Sequence, residues 1–469
     1  MSQQRYDLVI IGAGSGGLIA AEFAVQLGAK TALVEKDRIG GDCTWTGCVP
    51  SKALLKAAKV AHEARTASQY GIISQSPSTD MVRVHEYVQS AVRQIYQGTT
   101  PEALRQKGID VYLGAARFID SSKILAGDTT LQSRHFLITT GARPVVPEIS
   151  GLSSVPFVTY QQIFDNQRLP RSMVVVGGGP LGSEIAQAYQ RLGAQVTVVA
   201  ERFLPKEDQD VRDLMEQVFA DEGIRRVKGR AKAARKDGDF IVIATDQQEA
   251  RGDLLLVASG RKPNVDGLDL EKAGVEYTQK GINVDDELRT SAKNIYAAGD
   301  VLGGYQFSHY AGWQAFQAAR NAMLPGSNSG LTDLLPWVTF TDPEVAHVGF
   351  SEQKARSDFG DELKIRRWTL SKVDRAVCEN DRNGFIKVIA KADGSVLGAT
   401  IVAERAGETI TEMVIAMKHK LKVMDIAGTI HAYPTYSTGV QLLATELAVE
   451  RLLSGTSGRI IRALSAVAR

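Results

Sequence analysis

Gly40-Gly41-Asp42-Cys43-Thr44-Trp45-Thr46-Gly47-Cys48-Val49-Pro50-Ser51-Lys52 holds two of the three cysteines in a chain of 469 residues. Four residues separate the two thiols, a loop that one helical turn can close into a disulfide. In a chain with almost no other cysteine, so tight a pair points to redox or metal chemistry rather than to a structural staple. A zinc site would need two further Cys or His ligands nearby, and the next residue of either kind, His62, completes no known ligand spacing. The pair therefore reads as redox-active; on the pair alone, two buried inert cysteines stay open as the alternative.

Upstream of it, Tyr6 to Ile11 is a short apolar run that stops at Gly12-Ala13-Gly14-Ser15-Gly16-Gly17 and continues into a helical pattern from Leu18 to Ala24. In this strand, turn and helix, Gly12, Gly14 and Gly17 let the backbone turn tightly, approach a pyrophosphate and pack helix on sheet, while the helix N-terminus attracts phosphate charge. Thr31 to Val34 makes a second strand ending at Glu35, 23 residues after Gly12, where a carboxylate would accept hydrogen bonds from a ribose 2′-hydroxyl. The arrangement repeats downstream. Met173 to Val176 runs into Gly177-Gly178-Gly179-Pro180-Leu181-Gly182-Ser183-Glu184, a helix and the strand Gln195 to Val199, so Gly177, Gly179 and Gly182 form a second fingerprint. Here Ala200 stands where an NAD-selective chain would place its ribose-binding acid, and Arg202 lies two residues on to meet a 2′-phosphate, so NADP is the expected dinucleotide. Glu201 could instead turn in to bind a ribose hydroxyl, which would favour NAD.

At 44% hydrophobic residues the chain can bury large cores and form about three domains. The 55 basic and 53 acidic residues leave a formal charge of +2, which gives no electrostatic case for nucleic acid or an anionic membrane. The start, Met-Ser-Gln-Gln-Arg-Tyr-Asp, lacks the features of a signal peptide, and no apolar run approaches the roughly 20 residues of a spanning helix. A soluble cytoplasmic protein is expected, where a disulfide persists only as a working redox group.

Gly-Gly-Asp-Cys-x4-Cys-Val-Pro-Ser-Lys behind a glycine fingerprint resembles the FAD-dependent pyridine nucleotide-disulfide oxidoreductases, the family of dihydrolipoamide dehydrogenase, glutathione reductase and mercuric reductase. The resemblance runs through nearly the whole chain. It implies an α/β fold with two doubly wound Rossmann-like domains, for FAD and for NAD(P), and a C-terminal α+β dimerisation domain. The expected boundaries are 1–150 for the FAD domain with the redox pair, 151–270 for the NAD(P) domain, 271–335 for a return to the FAD domain and 336–469 for dimerisation. Helices are expected from Ser51 to about Ala67 and from Tyr87 to Gln106, with the polar, Ser-rich residues 72–80 between them. In the last domain strands are expected at 364–370, 385–389 and 397–401.

The same resemblance assigns roles. Cys48 would lie nearer the flavin as a charge-transfer thiolate and Cys43 would attack the acceptor. Lys52 would reach back toward the flavin and pair with Glu184. The stretches around Ala116 and around Thr140-Gly141 look like strands returning to the FAD, and Gly260 closes the NAD(P) unit. Asp300, in Ala298-Gly299-Asp300, would bind the ribityl hydroxyls. His309 opens a helix whose N-terminal amides would face the flavin, and a side chain with no chemical role is the other reading of it. Cys378 reads as an incidental thiol.

The family's disulfide reductases carry His-Pro-Thr-x-x-Glu near the C-terminus, an acid–base pair for the interchange thiol. Here Tyr433 holds the His position and Thr438 the Glu position. Mercuric reductases share the Tyr, but they bind metal with a C-terminal cysteine pair, and this sequence ends Leu464-Ser465-Ala466-Val467-Ala468-Arg469; their N-terminal metal-binding module has no counterpart in it either. His431 is a candidate displaced base, roughly 6–7 Å away along an extended segment. The expectation is a homodimeric NAD(P)H oxidoreductase that passes electrons through FAD and Cys43/Cys48 to a metal ion or an electrophile. A lipoamide- or glutathione-type disulfide is the alternative acceptor, and a non-catalytic flavin redox sensor is a third reading.

Overall fold

The computed structural model describes residues 5–73, 75 and 77–467, without the side chains of residues 361 and 455–457. Ser74 and Ser76 of the Ser-rich stretch, the first four residues, and Ala468 and Arg469 lie outside the described residues. The chain divides into two compact units, Met1–Glu201 with Ile224–Thr332, and Arg202–Gly223 with Asp333–Arg469.

In the first unit β1 (Arg5–Ile11) is buried along almost its whole length, the pattern of a parallel strand covered on both faces. It leads to α1 (Ser15–Gln26) and β2 (Thr31–Glu35), then to α2 (Gly41–Trp45) and α3 (Cys48–Thr66), which carry the cysteines. After these come α4 (Met81–Tyr96), α5 (Pro101–Gln106), β3 (Ile109–Leu113), β4 (Ala116–Asp120), β5 (Lys123–Ala126), β6 (Thr129–Ile138) and β7 (Ala142–Pro144). The second fingerprint lies between β8 (Ser172–Val176) and α6 (Pro180–Leu192), followed by β9 (Gln195–Val199). The chain then enters α7 (Gln209–Asp221), in the second unit, and returns as β10 (Arg225–Val227), β11 (Ala233–Asp237), β12 (Phe240–Ala244), β13 (Glu249–Gly252), β14 (Leu254–Val257) and β15 (Arg261–Pro263). A small hairpin, β16 (Tyr277–Thr278) and β17 (Gly281–Ile282), precedes β18 (Ile295–Ala297) and α8 (Ser308–Met323).

Among the described residues one sheet has the order β3-β2-β1-β6-β5-β4, with β18 added in parallel to the C-terminal half of β6. A second, all-parallel sheet has the order β10-β9-β8-β14. These are the two doubly wound nucleotide-binding layers. β15 pairs antiparallel with β7, setting Arg261 opposite Pro144, so the strand that leaves the second sheet lies against the strand that leaves the first.

Two helix boundaries differ from the sequence reading. The single helix expected from Tyr87 to Gln106 is two: Asp80 caps α4, Gly98 lies in the short turn after it, and Thr100 caps a new start with Pro101 in its first turn. A proline has no N–H to continue a helix but fits the first turn, where that N–H has no partner anyway. By the same logic Pro50 is tolerated three residues into α3, which begins at Cys48 rather than Ser51.

The second unit is built on an antiparallel sheet, β19 (Trp337–Thr339), β20 (Glu344–Gly349), β23 (Val396–Ala403), β22 (Phe385–Lys391) and β21 (Leu363–Thr369) in spatial order, the first two being strands beyond those expected. α9 (Glu352–Phe359), α10 (Asp374–Cys378), α11 (Ala406–Lys418), α12 (Val423–Gly428), α13 (Ser437–Leu453) and α14 (Gly455–Val467) complete it. Lys387, inside β22 and only 1% exposed, explains why residues 202–223 belong here. Its ammonium meets Asp208 at 2.9 Å, Asp210 at 2.8 Å and Glu352 at 3.3 Å. Nearby Trp337 donates its indole N–H to Glu207 at 2.7 Å. No described helix is long and apolar enough to cross a membrane.

Candidate active site

The two fingerprints share one geometry. Gly12 has φ +105°, and a Cβ there would stand 2.4 Å from the Thr139 carbonyl oxygen; Gly177 has φ +124° and the matching distance to Ala258 is 2.3 Å. A Cβ on Gly17 would stand 1.9 Å from the Gly12 carbonyl oxygen, and one on Gly182 2.1 Å from that of Gly177, so helix and strand touch only because the side chains are absent. The middle glycines differ: nothing lies within 4 Å of a Cβ on Gly179, and on Gly14 only the Gly41 Cα, at 3.9 Å. Those clear faces at the N-termini of α1 and α6 are what a pyrophosphate needs to approach the backbone amides, so both cradles fit a dinucleotide. Glu35 accepts the Ala13 N–H at 2.7 Å and the Asp37 N–H at 2.8 Å, one on each oxygen. Each oxygen keeps a lone pair for a ribose hydroxyl.

Asp300 follows β18 and is nearly buried, with Arg261 Nη1 2.6 Å from its carboxylate. The same guanidinium holds Asp42 at 2.7 Å through Nη2, and the Tyr160 hydroxyl donates to Asp42 at 2.8 Å. Burial pushes the Asp300 carboxyl up, the Arg261 charge opposes this, and Asp42 adds to it. Thr140 and Gly141 lie where the two halves of the unit are tied: the Thr140 hydroxyl donates to the Asn264 carbonyl at 2.8 Å, the Asn264 side chain donates back at 2.9 Å, and the Asn264 N–H donates to the Gly141 carbonyl at 2.9 Å. The Ala116 side chain is packed in the apolar core with Phe118 and Phe136, so only its backbone can face a ligand. Gly260 has φ +116° and clear space around it. The His309 ring stacks on Phe307, 5.4 Å between centroids, in the first turn of α8.

The thiols meet where α2 ends and α3 begins. Gly47 permits the join, since a Cβ there would stand 2.8 Å from the Asp42 carbonyl oxygen. Both cysteines are in the thiol form and hydrogen-bonded to each other. Cys48 is the first residue of α3, whose first turn carries no acid, and its sulfur is 3.1 Å from the Ser308 hydroxyl at the start of α8. The Cys48 thiol, above all, holds the Cys43 pKa down to about 6 against the pull of burial, with Ser308 and Ser15 helping. Cys48 is driven up by that same hydrogen bond, by burial and by the charge on Cys43, while Ser308 and Lys52 act against the rise. Within the reduced pair, the one shared hydrogen bond thus lowers the Cys43 thiol and raises the Cys48 thiol. One turn along α3, Lys52 Nζ is 2.9 Å from Glu184 Oε2 on α6, which joins the redox helix to the second fingerprint.

In the second unit Tyr433 is 72% exposed and donates to Asp374 at 2.5 Å; this hydrogen bond raises its pKa. Thr438 is buried and donates to the Thr435 carbonyl of its own turn. His431 has both ring nitrogens engaged, with Glu412 at 2.6 Å and the Thr429 carbonyl at 2.8 Å. Cys378, exposed at the end of α10, lies close enough to Tyr433 to raise its pKa further. Glu201 and Arg202 are both exposed, and within the first unit Arg226 donates to the Glu201 carbonyl at 2.7 Å.

Sequence reasoning missed Ser308, Ser15, Arg261, Tyr160 and Arg226 as site residues. Ser15 stood inside the first glycine fingerprint and Ser308 next to His309, each at a helix start, but their closeness to the thiols is made by the fold. Arg261, Tyr160 and Arg226 carried no signal.

The family models of pyridine nucleotide-disulphide oxidoreductase and of its dimerisation domain match residues 6–318 and 335–444. The chain is 33% identical to a mercuric reductase of Lysinibacillus sphaericus over 95% of its length and 83% of the relative's. It is also 33% identical to a dihydrolipoyl dehydrogenase of Staphylococcus aureus over 92% of its length and 94% of the relative's. Among solved structures, the Cu(II) complex of the HOCl-induced flavoprotein disulfide reductase RclA from Escherichia coli has a TM-score of 0.85 at 27% identity, covering 95% of this chain and all of that one. LpdA from Mycobacterium tuberculosis has a TM-score of 0.86 at 29% identity, covering 94% and 99%. The chain belongs to the class I pyridine nucleotide-disulfide oxidoreductases. It is an oxidoreductase of FAD and a nicotinamide dinucleotide, with the family's dimerisation domain at its C-terminal end.

Proposed function

We propose that this enzyme carries electrons from NADPH through FAD and the Cys43/Cys48 pair to an acceptor that is a metal ion or an electrophile rather than a disulfide. When bound, FAD supplies the two-electron chemistry that joins nicotinamide hydride to sulfur. The chain's own residues do the rest. Gly12, Gly14, Gly17 and Glu35 hold the FAD nucleotide end, Ala116, Thr140 and Gly141 line its approach by their backbone, and Asp300 accepts from the ribityl hydroxyls. The first turn of α8, with His309, presents its amides to the flavin. Gly177, Gly179, Gly182 and Gly260 form the second cradle, with Arg202 and Arg226 meeting the 2′-phosphate; Glu201 beside them would serve NAD. Lys52 and Glu184 align the two cofactors. Two electrons and one proton open the Cys43–Cys48 disulfide to one thiolate and one thiol, and Cys43 attacks the acceptor as the thiolate.

The state of Tyr433 carries the choice of acceptor. A disulfide acceptor releases a thiolate that must be protonated, work suited to a group with a pKa near 6.5. Tyr433, its pKa raised by Asp374, stands where that group belongs; Thr438 is spent on its own turn, and His431 is tied at both nitrogens. The name of the mercuric reductase and the Cu(II) bound to RclA support a metal reading; the dihydrolipoyl dehydrogenase, and the description of RclA as a disulfide reductase, keep a disulfide as the second reading. The proposed assembly is a homodimer with Tyr433 facing the partner's Cys43. To test the acceptor, NADPH-reduced enzyme is reoxidised anaerobically with Hg(II), Cu(II), quinones, oxidised glutathione and lipoamide. The expected result is turnover with metals or quinones and disulfide reduction on the order of 10²-fold slower, gained back in Tyr433→His with Thr438→Glu. Wild-type disulfide reduction above about 10 s⁻¹ contradicts the reading.

A further inference from the structure

Asp42 lies one residue before Cys43, and a carboxylate there faces another, Asp300, across a guanidinium. Arg261 reaches Asp42 through Nη2 at 2.7 Å and Asp300 through Nη1 at 2.6 Å, and its Nε lies 3.4 Å from the Tyr160 hydroxyl, which itself donates to Asp42 at 2.8 Å. The Arg261 guanidinium carbon stands 5.4 Å from the centre of the Tyr160 ring. Tyr160 is 5% exposed, so the cluster is closed on that side. Four separate pieces of chain converge: the redox stretch, the segment before β8, the first residue of β15 and the turn after β18. Only a planar fork with several donors can satisfy two carboxylates and a phenol at once; a lysine is a single point charge.

We propose that Arg261 is a positioning residue that clamps the redox loop to the flavin-binding carboxylate, fixing Cys43 through Asp42 and the ribityl acceptor Asp300 with one side chain. The proposal rests on the reading of Asp300 as an FAD ligand. With Arg261 in place the carboxylates share a cation. Without it they are two like charges in a largely buried site, beside a cofactor that brings two phosphate charges of its own. Asp42 is then a liability, and removing it as well should relieve the damage. A residue that merely filled space would show no such relief.

The test measures FAD release from the holoenzyme, by flavin fluorescence on dilution, for wild type, Arg261→Gln, Arg261→Lys, Asp42→Asn and the Asp42→Asn/Arg261→Gln double variant. The expected result is FAD affinity about tenfold weaker in Arg261→Gln, within about threefold of wild type in Asp42→Asn, and at least about threefold tighter in the double variant than in Arg261→Gln alone. Arg261→Lys, which can neutralise one acid but not fork between both, is expected to fall between wild type and Arg261→Gln. A double variant as weak as Arg261→Gln, or an Arg261→Gln that keeps wild-type affinity, overturns the clamp. If Arg261→Gln does not fold, Arg261→Lys and its Asp42→Asn double give the same comparison. Asp300→Asn tests the underlying reading by itself: unchanged FAD release in that variant removes Asp300 from the FAD site, while the relief between Asp42 and Arg261 still decides the clamp.

Discussion

Replacing Cys48 by alanine removes the group that, before all others, holds the Cys43 pKa at about 6, and burial, which acts the other way, remains. With burial set against the help of Ser308 and Ser15, the Cys43 thiol should return close to the ordinary value of about 8.5. At pH 7 the thiolate fraction would then fall from about 90% to about 3%, a loss of about 30-fold. The thiolate that remains is more basic, and with a Brønsted coefficient of about 0.4–0.5 it is about 10–20-fold more nucleophilic. These nearly cancel, so alkylation of Cys43 at pH 7 should slow by only about 2–3-fold, and above about pH 7.5 the variant should be alkylated faster than wild type. The diagnostic quantity is therefore the midpoint and not the rate. Enzyme reduced with dithiothreitol and freed of it anaerobically is trapped with iodoacetamide from about pH 5 to 10, and the Cys43 peptide is quantified by mass spectrometry. A wild-type midpoint at pH 8 or above, or a Cys48→Ala midpoint still near 6, would refute the hydrogen bond between the sulfurs as the cause.

Two further outcomes rest on other parts of the chain. Burial raises the Glu207 pKa to about 7 despite the bond from Trp337, so the folded protein binds that proton more tightly than the unfolded chain and loses stability as pH rises from about 4.3 to 7; Glu207→Gln, which keeps the acceptor and removes the charge, should be about 1–3 kcal/mol more stable than wild type at pH 8 and nearly unchanged at pH 4, read by chemical denaturation, and an equal effect at both pH values counts against the assignment. Arg202→Ala should lower kcat/KM by about tenfold or more for NADPH and little for NADH, as expected for a lost charged hydrogen bond to phosphate; a wild-type enzyme with the higher kcat/KM for NADH would show that Glu201 decides the preference instead.

The parts legible in the sequence are those whose physics is local. Gly12 and Gly177 are forced by a carbonyl of the neighbouring strand at each turn, so the residue type itself reports the geometry. The break between α4 and α5 is also local, since Thr100-Pro101 pairs a capping hydroxyl with a proline at the first helical position. What stayed hidden depends on distant partners. Arg261 finds Asp42 219 residues away, and Lys387 finds Asp208 179 residues away. A lysine in a strand reads as solvent-facing, and Asp208, Asp210 and Glu352, brought by the starts of α7 and α9, make its burial tolerable. Protonation was equally unreadable: the two cysteines are equivalent by spacing, and the hydroxyls that help lower the Cys43 thiol, Ser15 and Ser308, are supplied by other helices.

The central claim is that Cys43 and Cys48 share electrons with the flavin, and anaerobic dithionite titration of freshly oxidised enzyme tests it most directly. Four electrons per subunit are expected, two in the flavin and two in the disulfide, falling to two in Cys43→Ser. Uptake of only two electrons by the wild-type enzyme would contradict it.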